Sequence, residues 1–269
     1  MKPKSVIWIC GMPRSGTSWL SQLIDSSPLV SFKMAPLFSY AFKNQVDENS
    51  SQEEWISFFD EVFESQDDFL TQKARRDKGD FPTFKKHDPA THLAIKDVRH
   101  HEVIPRLLHL DLKVKVIYII RNPKDAIASW LFSRNEFPKD KDITKEWYYG
   151  KCRKTTKGEY WGFNDWKILT ERYLDLEIKF PNKVRTIKYE DLLVDTTSET
   201  EEIYSFIKMP FGNQTQYFLE ETKRKHDQSE YSVFKDPEKM KQKWDNKLPT
   251  SIASQIKREL ENTKLDLYN

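Results

Sequence analysis

The stretch SVIWIC, residues 5–10, runs directly into GMPRSG and then into TSWLSQLID, whose apolar residues recur near helical spacing. A buried-looking strand, a glycine-bounded loop and a helix in succession aim backbone N–H groups, and the positive end of the helix dipole, at an anion. Gly11, four residues and then Gly16 give the outline of a phosphate-binding P-loop. Thr17, however, occupies the lysine position of G-x-x-x-x-G-K-[ST], and Arg14 carries a cation three residues earlier. Ser15, Thr17 and Ser18 add hydroxyls to the same turn.

The rest of the chain repeats the alternation. HLAIK (92–96), VKVIYII (114–120) and VRTIKY (184–189) are short, apolar and rich in β-branched or aromatic residues, as buried strands are. Helical patterns lie between them: TSWLSQLID (17–25), EEWISFFDEVFES (53–65), PKDAIASWLFS (123–133) and WKILTERYLDLEIKF (166–180). Asn122, Pro123 and Asp125 supply an N-cap, a first-turn proline and an early acid. The alternation predicts an α/β fold of three layers, a central parallel sheet flanked by helices, with helical insertions and a mostly helical, charged C-terminal third from about Thr196. No repeat or linker divides the chain, so a single domain over 1–269 is expected.

Charge narrows the partners. Lys and Arg number 44 against 42 Asp and Glu, so no global basic field points to nucleic acid or an anionic membrane, and anion recognition must be local. Cys10 and Cys152 form no metal-ligand spacing, and Cys10 ends a buried strand, which fits a reducing compartment. The first strand starts too early to leave room for a cleavable leader. No run approaches the ~18 apolar residues of a membrane span. The expectation is a soluble, cytoplasmic protein.

The missing lysine argues against a nucleotide triphosphatase. Such a site also needs an Asp on a neighbouring strand to hold the metal. Here VIYII is followed by Arg121, which suggests a second anionic group neutralised by protein rather than by magnesium. Ser129 lies eight residues on, in the third turn of the same helical segment, where both side chains could reach one phosphate.

Together these features resemble the sulfotransferases that use 3′-phosphoadenosine 5′-phosphosulfate (PAPS) and release 3′-phosphoadenosine 5′-phosphate (PAP). PRSGTSW resembles that family's 5′-phosphosulfate loop, VIYIIRNPKDAIASW its 3′-phosphate segment, and KYEDLL (188–193) a third feature. The resemblance implies a P-loop-like fold and PAPS as sulfuryl donor, with no metal. It implies that Arg14, Ser15, Gly16, Thr17 and Ser18 hold the phosphosulfate, that Arg121 and Ser129 hold the 3′-phosphate, and that Trp19 and Tyr189 lie beside adenine. Trp19 also fits a core position on the helix face shared with Leu20 and Leu23. A C-terminal basic loop would correspond to VFKDPEKMKQKW, ending at Trp244, with Lys235 as the cofactor ligand.

Sulfuryl transfer needs positioning, stabilisation of charge on the leaving group, and a base for the acceptor hydroxyl. Arg14 and the loop N–H groups suit the leaving phosphate, and Lys96 resembles a strand-end lysine near the transferred group. Relatives place the base either two residues after that lysine or before a proline following the first helix. These positions hold Val98 and Ala35. Asp97, His100 and His101 are the nearby substitutes, and His100 is the expected catalytic base. The segment EWYYGKCRKTTKGEYWGFNDW (146–166) mixes aromatics with Lys151, Arg153, Lys154 and Lys157, which suits a glycan or serves as core. KDVR is closer to the carbohydrate-acting branch. The expected acceptor is a hydroxyl of a carbohydrate or glycoconjugate. The alternatives are a small alcohol, phenol or lipid, or a nucleotide-binding relative that no longer catalyses.

Overall fold

The computed structural model describes residues 2–156, 158–224, 233 and 247–269. Five strands form one sheet in the order β2-β3-β1-β4-β5: β1 (Ser5–Gly11), β2 (Val30–Met34), β3 (His92–Lys96), β4 (Val114–Ile120) and β5 (Val184–Lys188). All neighbouring pairs are parallel, so each connection crosses a face of the sheet. The first half contributes α1 (Thr17–Asp25), α2 (Gln52–Glu64), α3 (Asp68–Thr71), α4 (Lys73–Asp77), α5 (Ile104–His109) and α6 (Pro123–Leu131). The second contributes α7 (Ile143–Glu146), α8 (Gly162–Lys179), α9 (Tyr189–Val194), α10 (Thr196–Phe206), α11 (Asn213–Arg224) and α12 (Thr250–Leu260).

The three-layer arrangement follows from the period-2 alternation of β1. Val6, Trp8 and Cys10 pack with Trp55 and Phe58 of α2 and with Trp166 and Tyr173 of α8. Ile7 and Ile9 face the other way, onto Leu20, Leu23 and Ile24 of α1 and Ile203 of α10. The helix start expected at Asn122 forms, and a second cap not expected from the sequence accompanies it. Asn122 Oδ1 accepts the N–H of Lys124 at the start of α6, and Ser51 with Glu54 closes a capping box on α2.

Strand β2 is absent from the sequence expectation. Ser31 and Lys33 interrupt Val30, Phe32 and Met34, and the strand lies at the sheet edge, paired only with β3. Lys33 is nonetheless buried, because its ammonium donates to the Ser65 carbonyl. Burial lowers its pKa to about 8, against the pull of Asp25 and Asp67.

One buried carboxylate positions the insertion between β2 and β3. Asp25, at the end of α1, receives Arg76 Nη2 and Lys86 Nζ, each at 2.7 Å. These pairs tie α4 and the segment after it to α1, and so fix Phe69, Gln72 and Arg75 above the ends of β2 and β3.

Candidate active site

In an open parallel sheet, ligands bind beyond the carboxyl ends of the strands. A cavity of about 370 Å³ lies there, reached by residues that follow all five strands. From the centre, the β1–α1 loop contributes Arg14, Gly16, Thr17, Ser18 and Trp19. Arg121, Ser129, Tyr189 and Leu193 line it on the β4–β5 side. On the β2–β3 side stand Met34, Ala35, Lys96, Val98 and Arg99, joined by Phe69, Gln72 and Arg75. Glu136, Arg153, Glu159, Tyr160 and Trp161 complete the lining.

The central loop is shaped for an anion. Ser15 N–H donates to the Met12 carbonyl at 3.1 Å. Arg14 and Gly16 adopt left-handed φ of 73° and 93°. Gly16 is the N-cap of α1 and no side chain caps the helix, so its first N–H groups face the cavity side. The glycine is required twice over. A Cβ there would lie 2.5 Å from Tyr189 Cδ2, and the φ disfavours any other residue.

The two anion-binding motifs converge. Arg14 Nε donates to Ser129 Oγ at 3.2 Å across 115 positions of sequence. Arg121 Nη1 donates to the Arg14 carbonyl at 3.1 Å. The Arg121 backbone is itself clamped: its carbonyl accepts Trp166 Nε1–H at 3.0 Å, and the next N–H donates to Glu190 Oε1 at 2.9 Å. The guanidinium is 4% exposed, sits 4.5 Å over the Tyr189 ring, and has Nη2 3.7 Å from Asp125. Trp19 meets Tyr189 edge to face at 6.0 Å. Trp19 is therefore both a core residue of the α1 face and a cavity wall.

Several buried polar atoms in this cluster lack a hydrogen-bond partner among the described residues: Ser15 Oγ, Trp19 Nε1, and Arg121 Nε and Nη2. Such atoms are costly unless something else satisfies them. Uncapped N–H groups, two arginines and orphaned donors beside two aromatic rings fit a phosphorylated, base-bearing group. No cluster of His, Cys, Asp and Glu among the described residues could hold a metal ion.

Lys96 stands at the end of β3, next to β2, and its Nζ donates to Ser18 Oγ at 3.3 Å. Its pKa is lowered to about 8, mainly by burial, then by Arg75 and Arg14, while Asp97 and Glu136 oppose the shift. Ala35 and Val98 line the cavity with no proton-accepting group.

His100 is not among the described residues that line the cavity. Its Nδ1 meets Asp97 Oδ2 at 2.9 Å, and although burial opposes it, that carboxylate raises the imidazole pKa. Asp97 is buried and also accepts the Arg99 N–H at 2.8 Å, so its Asx turn spends it on the loop. His101 is buried against Tyr173 and pushed down to about 3 by burial. Lys235 and Trp244 lie outside the described residues.

The aromatic segment 146–166 is mostly core. Trp147, Phe163 and Trp166 are buried in the main cluster, and Lys154 is paired with Asp165 at 2.7 Å. Among its described residues, Arg153, Glu159, Tyr160 and Trp161 line the cavity, and Lys157 lies outside the described residues. Phe69, Gln72, Arg75, Glu136 and Glu159 escaped the sequence reading because no motif carries them. Glu159 lies within the aromatic segment 146–166, but no motif singled it out there.

Known proteins resemble the chain in sequence and in fold. Flavonol 4′-sulfotransferase of Flaveria chlorifolia is 25% identical over 214 residues, covering 76% of this chain and 56% of that protein. Carbohydrate sulfotransferase 1 of Mus musculus is 29% identical over 182 residues, covering 61% and 41%. The chain thus spans little more than half of the first relative and less than half of the second. Mouse sulfotransferase SULT7A1 complexed with PAP superposes with a TM-score of 0.59 at 15% identity, over 98% of this chain and 86% of that one. The sulfotransferase domain from the curacin biosynthetic pathway gives 0.52 at 16% identity, over 97% and 98%. At these identities the likeness is one of fold. The family described as "Sulfotransferase domain" matches residues 4–265, from the first strand to beyond the last helix, and the chain belongs to it.

Proposed function

We propose that the chain transfers a sulfuryl group from PAPS to the hydroxyl of a neutral, ring-bearing acceptor. The observation that carries the donor reading is the Arg14–Ser129–Arg121 cluster, with its unpartnered buried donors at the uncapped start of α1. Bound PAPS would supply an electrophilic sulfuryl group. Arg14, Ser15, Gly16, Thr17 and Ser18 hold the phosphosulfate, Arg121 and Ser129 the 3′-phosphate, and Trp19 and Tyr189 flank the base. Lys96, bridged to Ser18, stabilises charge on the leaving phosphate.

The acceptor reading rests on the β2–β3 side. Met34, Ala35, Phe69 and Val98 give it an apolar surface, and Tyr160 and Trp161 add rings elsewhere in the lining. Among the described lining residues, six cations face two carboxylates. That surplus of about four charges is matched by the phosphates and sulfate of the donor, at up to about two charges per phosphate group. Little remains to attract an anionic acceptor. Arg75 and Arg99 on the same side favour a second reading, a glycan, through hydrogen bonds to its hydroxyls.

Incubating the chain with PAPS and a panel of phenols, alicyclic alcohols and neutral and acidic oligosaccharides, with products read by mass spectrometry, tests this. Turnover of ring alcohols with oligosaccharides inert supports the first reading, and the converse assigns the second. PAP binding with no transfer to any acceptor, or magnesium-dependent ATP hydrolysis, refutes the function.

A further inference from the structure

An acceptor hydroxyl must lose its proton as its oxygen bonds to sulfur, and a positioned proton acceptor speeds that step. Such a group has to reach the cavity beside the Lys96–Ser18–Arg14 cluster. Among the described lining residues the carboxylates are Glu136 and Glu159. Glu159 is committed to the wall: it receives Arg99 Nη1 at 2.6 Å, the N–H groups of Thr155 and Thr156 at 2.6 and 3.1 Å, and the Thr155 hydroxyl at 3.0 Å. Burial would raise its pKa, but these donors hold it below the usual carboxylate range. Tyr160 is a poor acceptor of protons, since burial raises its pKa and its hydroxyl turns to Glu102 at 3.4 Å.

Glu136 differs in place and surroundings. It sits in the loop after α6, the helix that carries Ser129, and its own N–H donates to Ser133 Oγ at 3.1 Å. Arg153 Nη2 approaches Oε2 at 3.3 Å from the aromatic segment. Its negative charge opposes the lowering of the Lys96 pKa. Its carboxylate lines the same cavity as Lys96 and as Ala35 and Val98, which carry no proton acceptor.

Resting on the sulfuryl-transfer reading above, we infer that Glu136 is the catalytic base, oriented by Arg153. Glu136 takes the proton of the acceptor hydroxyl while the acceptor oxygen bonds to sulfur and the bond from sulfur to the 5′-phosphate oxygen breaks. The electron pair of the broken bond stays on the phosphate, facing Arg14 and Lys96. Glu136 afterwards releases the proton to water.

The test compares wild type, Glu136→Gln and Glu136→Asp with PAPS and acceptors ranging from a primary alcohol to 4-nitrophenol, with PAP affinity and thermal stability measured beside. Glu136→Gln should lose about 10²–10⁴-fold in kcat/KM for the alcohol. The loss should shrink as the acceptor becomes more acidic, and Glu136→Asp should recover part of it, with PAP affinity retained. An independent readout is the absorbance of 4-nitrophenol bound with PAP. Removing the facing carboxylate should lower its apparent pKa by about one unit or more. An equal loss for every acceptor, no loss, or an unchanged nitrophenol titration overturns the assignment while leaving the transfer reading intact. A wild type that binds PAP and transfers to none of the acceptors overturns both.

Discussion

Arg121→Met should separate ligand binding from stability. In the ligand-free chain the guanidinium is buried, yet it makes one hydrogen bond, to the Arg14 carbonyl, and leaves Nε and Nη2 unsatisfied. Each unsatisfied buried donor costs about 1–3 kcal/mol, while the bond and the 3.7 Å contact with Asp125 return part of that. Methionine fills similar volume and can pack on the Tyr189 ring. The substitution should therefore leave thermal unfolding within a few degrees of wild type or raise it. Binding behaves in the opposite way. A 3′-phosphate that satisfies both free nitrogens gains two charge-assisted bonds at about 1.5–3 kcal/mol each, and their loss weakens PAP by about 10²–10⁴-fold. Calorimetric titration with PAP and with adenosine 5′-monophosphate isolates the effect, because only PAP carries the 3′-phosphate. Equal losses for the two ligands would refute the assignment of Arg121, and a large drop in Tm would refute the claim that its burial is costly.

Two further outcomes follow from the same cluster. Lys96, with its pKa lowered to about 8, is charged below that pH and neutral above it, so PAP affinity should fall by up to about tenfold per unit as pH rises past 8. The fall stops at the higher pKa of the liganded state, and Lys96→Met should bind more weakly with a flatter profile between pH 7 and 9.5. Gly16→Ala forces a Cβ to within 2.5 Å of the Tyr189 ring at a φ of 93°. It should cost about 1–3 kcal/mol of stability and most of the PAP affinity, and an unchanged melting curve would contradict the close packing.

The layers and the donor side were legible because strong local patterns carry them. SVIWIC, HLAIK and VKVIYII are apolar enough to announce strands, and the loop from Gly11 to Gly16 keeps its chemistry within a few consecutive residues. Strand β2 was not legible, because Lys33 reads as solvent-facing until the distant Ser65 carbonyl is seen to receive it. The acceptor side was the least legible. Arg75 reaches the cavity only because Asp25 anchors Arg76 and Lys86, and Glu136 only because the loop after α6 turns toward Arg153. His100 looked suitable by sequence proximity to Lys96, and the pairing of its Nδ1 with Asp97 in the turn after β3 was not legible from that proximity.

The six cations and two carboxylates among the described lining residues also bear on the proposed turnover. Moving the sulfuryl group hardly changes the charge left behind, since the 5′-phosphate of PAP regains an ionisable oxygen where the sulfate was attached. The spent nucleotide is therefore held by nearly the same field that captured the fresh one. In the transfer proposed above, release of PAP is therefore expected to be slow, and added salt should hasten it while weakening capture of the donor.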